Sequence, residues 1–414
     1  MAAARRRLRT GTPVWLDGAP PQPQRYARLS GTRRTRIAIV GGGITGALTA
    51  HAFAAAGVPV VLLEAARVAQ GSTAASSALL LKEPDHELTR LAQRYGHRRA
   101  SRIWRISHES VDGLIALLQR LSVRCDLHLR DTVHFATDAE AADRLRREWA
   151  LRRRAGFDAE WIDRAALHRL TGVSAAGGIR TSGSARFDPY RACLGILGAA
   201  ERAGAQIFER SRVTRITPQA DGVRLHTDHG VVDADRVIIA TGYATRQFRP
   251  LIGRFRMYHT YVIGTAPLRA SERRPLGMAD LLLWSTGQPY HYARFTGDHR
   301  LLLGGADVPV RPRQRPAALL ATARRELRDY FEPQFPALAD IATPIAWQGL
   351  FAMTPDSLPY IGPHRRYPRH WFALGYGGNG MTFAFLAARL LLERWQGTGS
   401  ADHALFEFGR VRRR

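Results

Sequence analysis

Apolar residues recur along this chain with two periods, one of strands and one of helices. Arg36–Val40 is a short β-branched run ending at glycine, the pattern of a buried parallel strand. Thr45–Ala56 is alanine-rich and reads as a helix stopped by Gly57. Val60–Leu63, entered through Pro59, reads as a second strand that ends in Glu64. Residues 86–121 carry apolar positions at helical spacing, Leu88, Leu91 and Tyr95, then Ile103, Ile106, Leu114 and Leu118, and predict two helices. Leu127–Ala136 partly alternates and predicts a strand, and residues 138–153 and 163–171 predict helices.

Ala185–Tyr190 reads as the end of a loop, Tyr190–Ala203 as a second alanine-rich helix, and Ala205–Glu209 as a strand. Short strands are expected at Val213–Ile216, Val223–Thr227, Val231–Asp233 and Arg236–Ala240. Residues 255–265, 289–295 and 300–305 look like antiparallel strands of a different sheet. A helix over 317–332 follows the Arg/Pro connector 311–316, and another spans Phe383–Trp395. Residues 1–34, with RRR, PPQPQ and TRR, read as an irregular arm.

The strand, helix and second strand over 36–64 enclose Gly41, Gly43 and Gly46 as G-x-G-x-x-G. The first glycine permits a tight turn, the second lets a pyrophosphate reach the backbone, and the third lets helix and strand pack closely. The helix N-terminus offers N–H groups and a positive dipole end to the diphosphate. Glu64 can accept from both hydroxyls of an unphosphorylated ribose, which points to FAD or NAD rather than NADP. Ser72, Thr73 and Ala74 lie in a run of small and hydroxylated residues that lets a flat ring approach. Thr241 and Gly242 end a strand, and Gly378–Thr382 form a second glycine-rich junction before a helix.

The chain has 414 residues, enough for two or three domains, and a net charge of +26. Such a charge raises nucleic acid as a partner. Lys82 is the sole lysine, however, and the arginines are spread along the chain rather than massed in one patch, which argues against that partner. Cys125 and Cys193 form no metal or redox motif and predict buried thiols in a reducing compartment. No apolar run follows the N-terminal arginines, and no segment has the length of a membrane span, so a cytoplasmic protein is expected.

In order, GGGITG, Glu64, GSTAAS, DADRVIIATG, TPDSLPYIGP and GYGGNGMT resemble the FAD-dependent oxidoreductases of the D-amino-acid oxidase superfamily. This group includes glycine oxidase, sarcosine oxidase and gamma-glutamylputrescine oxidase relatives, and the resemblance covers about residues 12–397. It implies an α/β fold, with a Rossmann-like FAD domain and an inserted α+β substrate domain on a mixed antiparallel sheet. The implied division is an arm (1–34), FAD-binding segments (35–100, 165–250 and 345–400), substrate-domain segments (101–164 and 251–344) and a tail (401–414).

The implied activity is oxidation of an amine or amino acid by hydride transfer to flavin N5, giving an imine that hydrolyses. Gly41, Gly43, Thr45 and Gly46 are then expected at the diphosphate and Glu64 at the ribose, with Ile44, Ala65 and Arg67 also expected to contact the cofactor. Val213 is expected at adenine, Thr241 and Gly242 at the ADP portion, and Ser72–Ala74 by the diphosphate or flavin ring. Gly378, Asn379, Gly380, Met381 and Thr382 are expected at the flavin's pyrimidine edge and ribityl chain.

Relatives that resemble glycine oxidase often carry a carboxylate-clamping arginine where this chain has Leu350–Met353. Cys125 and Cys193 lie too early for covalent flavin attachment, so FAD is expected to be non-covalent. The substrate domain has no lysine to assist oxygen reduction, which leaves oxygen and a quinone or other carrier both open as acceptor. Lys82 and Arg294 are the cations that could meet a substrate carboxylate, with Tyr258 and Tyr292 shaping the pocket. An accessory FAD-binding protein of the same fold and a nicotinamide enzyme are the other readings.

Overall fold

The computed structural model describes residues 8–17, 26–277, 281–287 and 289–411, arranged around two sheets. The first has eight strands. Tyr367–Leu374, Gly230–Gly242, Gly31–Val40, Val60–Leu63 and Gln206–Phe208 run parallel in that spatial order. Tyr360–His364 adds an antiparallel edge, and the hairpin Arg215–Gln219/Gly222–His226 pairs with the first half of Gly230–Gly242. Helices Ile44–Ala55, Pro189–Arg202 and Gly380–Gln396 pack together beside it, with Ile37, Ile39, Leu48, Phe53, Leu386 and Leu390 in one apolar core. Connections of this kind bring the carboxyl ends Val40, Leu63, Gly242 and Leu374 to one rim, the place where open parallel sheets bind ligands.

Local patterning locates this sheet well but shortens its strands. Val231–Asp233 and Arg236–Ala240 are one strand, Gly230–Gly242, because it pairs along nearly its whole length with Gly31–Val40. That pairing also draws Gly31–Arg34, assigned above to the irregular arm, into extended structure.

The second sheet has ten strands and is mostly antiparallel. Its order is Arg9–Gly11, Ile345–Met353, Arg256–Gly264, Leu301–Pro309, Tyr292–Phe295, Leu281–Ser285, His128–Phe135, Gly177–Arg186 and Leu79–Leu80, with Glu160–Asp163 on Gly177–Arg186. One pair, Leu281–Ser285 with His128–Phe135, is parallel. Helix Pro316–Phe331 covers one face through Ala323, Leu327 and Phe331.

Three of these strands cross the division expected from sequence. Gly177–Arg186, Ile345–Met353 and Leu79–Leu80 were grouped with the FAD-binding segments, yet all three pair in the second sheet. Glycine hides the first: a side chain at Gly178 would meet the His134 carbonyl oxygen at 2.8 Å, so the residue that looks like a loop-former permits close strand pairing. The arm is also corrected, since Arg9–Gly11 forms the sheet edge and Trp15 is buried, its indole N–H donating to the Ser76 carbonyl at 2.9 Å. Among the described residues no helix is long and apolar enough to cross a membrane, and no cluster of His, Cys, Asp and Glu has metal-binding form. Both cysteines are buried and free.

Candidate active site

The glycine turn is built by close backbone approach. Gly41 has φ +115°, and a Cβ there would lie 2.6 Å from the Ala240 oxygen. A Cβ on Gly46 would lie 1.9 Å from the Gly41 oxygen, so this third glycine lets the helix sit on its own turn. A Cβ on Gly43 would press on Thr73 Oγ1 at 2.9 Å. That hydroxyl accepts from the Ile44 N–H at 2.9 Å and so ties the GSTAAS segment, a short helix over Ser72–Ala75, to the glycine turn. Glu64 accepts from the Gly42 and Ala66 N–H groups, each at 2.8 Å. Burial raises its pKa, and these N–H donors oppose the shift.

A cavity of about 1060 Å³ opens from this turn and runs to the second sheet. Gly41, Gly43, Ile44 and Thr45 line one part of it, with Glu64, Ala65 and Arg67 beside them. Val213, Thr241 and Gly242 form that end, and Ser72 and Thr73 follow along the wall. Gly378, Asn379, Gly380 and Met381 line the opposite junction. Three of the expected cofactor residues are not at the surface of the cavity. Gly46 packs on Gly41, Ala74 is fully buried, and the Thr382 hydroxyl donates to the Leu81 carbonyl at 3.3 Å.

Of the four residues expected at the substrate, only Tyr292 lines the cavity. Its hydroxyl bonds with Ser77 and Thr260. Tyr258 stacks on Phe351, with centroids 5.6 Å apart. Lys82 turns away and pairs with Asp112 at 3.0 Å. Leu79, Leu81 and Glu83 face the cavity, so the alternation of an extended segment sends Lys82 to the other side. Arg294 is wholly buried; its guanidinium donates to the carbonyls of Ala78 (2.7 Å), Phe187 (3.2 Å) and Phe295 (3.1 Å) and lies over Trp15. Burial pulls its pKa down to about 9. The structure therefore brings neither cation to the cavity, and Leu350, Phe351 and Ala352 stand where the clamping arginine was missed.

Residues that sequence reasoning passed over form this end instead. Trp284, Tyr290 and Phe351 line it with Tyr292, together with Asp85 and Asp307. Asp85 accepts from the Gly378 N–H at 2.7 Å. Asp307 sits at a bulge where Ala306 and Asp307 together oppose Thr260, since Tyr261 pairs with Gly305 and His259 with Val308. A bulge re-aims a side chain, and Ala306 at φ +52° marks the kink. Burial raises both carboxyl groups to about 7. The one sequence signal for Asp307 was an acid in an otherwise apolar strand, LLLGGADV.

An extended dinucleotide fits this cavity: Glu64 at one end, a turn whose Gly41 and Gly43 line the wall without side chains, and space continuing to an aromatic chamber. A parallel sheet with this turn, facing a large antiparallel sheet across one cavity, is the arrangement of a dinucleotide-binding protein. The family described as DAO, FAD dependent oxidoreductase, matches residues 36–394, and the chain belongs to it.

The chain is 24% identical over 386 residues to the "Probable oxidoreductase OrdL" of Haemophilus influenzae, covering 90% of this chain and 85% of that one. It is 26% identical over 364 residues to the gamma-glutamylputrescine oxidoreductase of Escherichia coli, covering 87% and 83%. The crystal structure of glycine oxidase from Geobacillus kaustophilus superposes with a TM-score of 0.76 at 22% identity, covering 92% of this chain and all of that one. The protein is an FAD-dependent oxidoreductase of this fold.

Proposed function

We propose that this flavoprotein oxidises the C–N bond of a small amine or amino acid. The observation that carries the reading is continuity: one cavity links the Glu64 end, where the cofactor's ribose belongs, to a chamber walled by the second sheet. FAD supplies, when bound, a two-electron acceptor for the hydride of a substrate C–H, leaving an imine that water hydrolyses. Glu64 would hold the ribose hydroxyls, the Gly41–Thr45 turn the diphosphate, and Gly378–Met381 the flavin's polar edge. The described lining residues include no cysteine or histidine, which supports a cofactor held without a covalent bond.

Trp284, Tyr290, Tyr292 and Phe351 would exclude water and fix the substrate against the cofactor. Asp85 and Asp307, poised near neutrality, can hold or take an ammonium proton at their carboxylate oxygens. Two buried free thiols suit a reducing, cytoplasmic setting. The names of the relatives, a gamma-glutamylputrescine oxidoreductase and a glycine oxidase, support amine or amino-acid chemistry. An anaerobic screen of amines and amino acids for loss of flavin absorbance tests it. No bleaching by any of them would instead support an accessory FAD-binding role. Reoxidation by air or only by a quinone then distinguishes oxidase from dehydrogenase.

A further inference from the structure

Among the described residues, the proposed substrate end of the cavity carries acid without base. The arginines lining the cavity, Arg67, Arg212 and Arg246, belong to segments at the Glu64, Val213 and Thr241 end. At the other end Glu83, Asp85 and Asp307 reach the lining. Glu83 points to Arg152 at 3.6 Å, an arginine it shares with Glu148, and accepts from Thr132. Asp85 and Asp307 have no ion-pair partner among the described residues. Asp307 Oδ1 is buried and has no hydrogen-bond partner.

The glycines of GYGGNG make room for this arrangement. A Cβ on Gly377 would lie 2.2 Å from Asp85 Oδ2, and one on Gly378 would lie 2.1 Å from the Tyr290 hydroxyl and 2.8 Å from Asp85 Oδ1. Aromatic rings complete the chamber: Tyr290 stands 6.4 Å from Trp284 and 6.2 Å from Tyr292, centroid to centroid. A box of aromatic faces with unpaired carboxylates attracts a cation and repels a carboxylate.

We infer that the substrate is an amine cation with no carboxylate beside its reacting carbon, of the alkyl diamine class, whose ammonium is held by Asp307 and Asp85 against Trp284, Tyr290 and Tyr292. This rests on the reading of the chamber as the substrate site of an FAD enzyme. It selects within that reading, because among the described residues the chamber offers an amino acid's carboxylate no cationic partner. Burial keeps the two carboxyl groups near half-ionised at neutral pH, and an arriving ammonium completes their ionisation.

The test pairs 1,5-diaminopentane with lysine, which differs from it by one α-carboxylate. FAD-loaded protein, reduced beforehand so that no turnover occurs, is titrated with each by calorimetry. The diamine is expected to bind at least about tenfold more tightly than either lysine enantiomer. Asp307→Asn and Asp85→Asn, which keep the shape and one acceptor oxygen but remove the charge, should each weaken diamine binding by about tenfold or more while FAD content stays normal.

Equal or tighter binding of lysine, or undiminished diamine binding by both variants, would overturn the inference. Loss of FAD from Asp307→Asn would overturn it too, by assigning that carboxylate to the cofactor. The two readings fail separately. Amino acids that bleach the oxidised flavin while the diamine neither binds nor bleaches would sink the cation site and leave C–N oxidation standing. Diamine binding that depends on Asp307, with no bleaching by any amine, would do the reverse.

Discussion

Arg410, in the stretch expected to be a tail, closes one of the most buried ion pairs in the chain. Its Nε and Nη2 reach the two carboxylate oxygens of Asp356 at 2.8 and 3.0 Å, and its Nη1 donates to the carbonyls of Pro359 and Phe406. The side chains are 1% and 0% exposed. Burial alone would push the Asp356 carboxyl up, but Arg410, with Tyr95 and Thr354, outweighs it and holds the pKa at about 2. A shift of that size from 3.8 is worth roughly 2–3 kcal/mol. Stranding one partner of a buried pair costs roughly 3–5 kcal/mol.

We therefore predict that Arg410→Ala destabilises the FAD-loaded protein by about 3 kcal/mol, lowering Tm by roughly 3–4 °C for a chain of this length. The assay is thermal unfolding followed by tryptophan fluorescence at matched FAD saturation. Asp356 is stabilising above its ordinary pKa, and that contribution is lost as pH falls from about 4 to about 2. The gap between wild type and variant should narrow over that range. Arg410→Met combined with Asp356→Asn should recover much of the loss, because no charge is left stranded. A loss below about 1 kcal/mol, the value of an exposed pair, would refute the reasoning.

Glu64→Ala should weaken FAD binding by roughly 1.5–3 kcal/mol for each lost charge-assisted hydrogen bond; unchanged affinity by flavin fluorescence titration would remove Glu64 from the ribose. Lys82→Met should leave KM unchanged, since Lys82 pairs with Asp112 outside the cavity, and a large KM rise in steady-state kinetics would restore it as an anchor. Arg294→Met should act on stability, by roughly 2–4 kcal/mol in denaturant titration, because it strands buried carbonyls; a raised KM with normal stability would contradict that placement. The raised pKa values of Asp85 and Asp307 mean that diamine binding releases protons near neutrality. Affinity should rise from about pH 6 to about pH 8 and fall only as the amine itself deprotonates. The two carboxyl groups face each other, and the other groups facing them are Tyr290, Tyr292, Tyr261, Thr260 and the Gly378 N–H, none of which titrates in that window, so a flat profile would contradict the assignment.

The cofactor end was legible because its signals are local. Gly41, Gly43, Gly46 and Glu64 lie within one βαβ unit, where spacing and apolar runs carry the geometry. The proposed substrate end was not, because it is assembled from Asp85 and Tyr290 on connecting segments, Trp284 on a distant strand and Asp307 at a bulge. Gly177–Arg186 was hidden for the same reason: its glycine and serine content reads as a loop until His128–Phe135 and Glu160–Asp163 flank it. Lys82 drew notice by being the sole lysine, yet its orientation is set by strand alternation, which rarity does not report.

In the proposed reaction an organic amine delivers electrons to FAD in this cavity. Anaerobic mixing of the FAD-loaded protein with 1,5-diaminopentane and with a panel of amines and amino acids, followed by flavin absorbance, reads that transfer. Full bleaching by at least one amine is expected, with a slower or absent response to its carboxylated analogue. A flavin that stays oxidised with every amine and amino acid tried would contradict it.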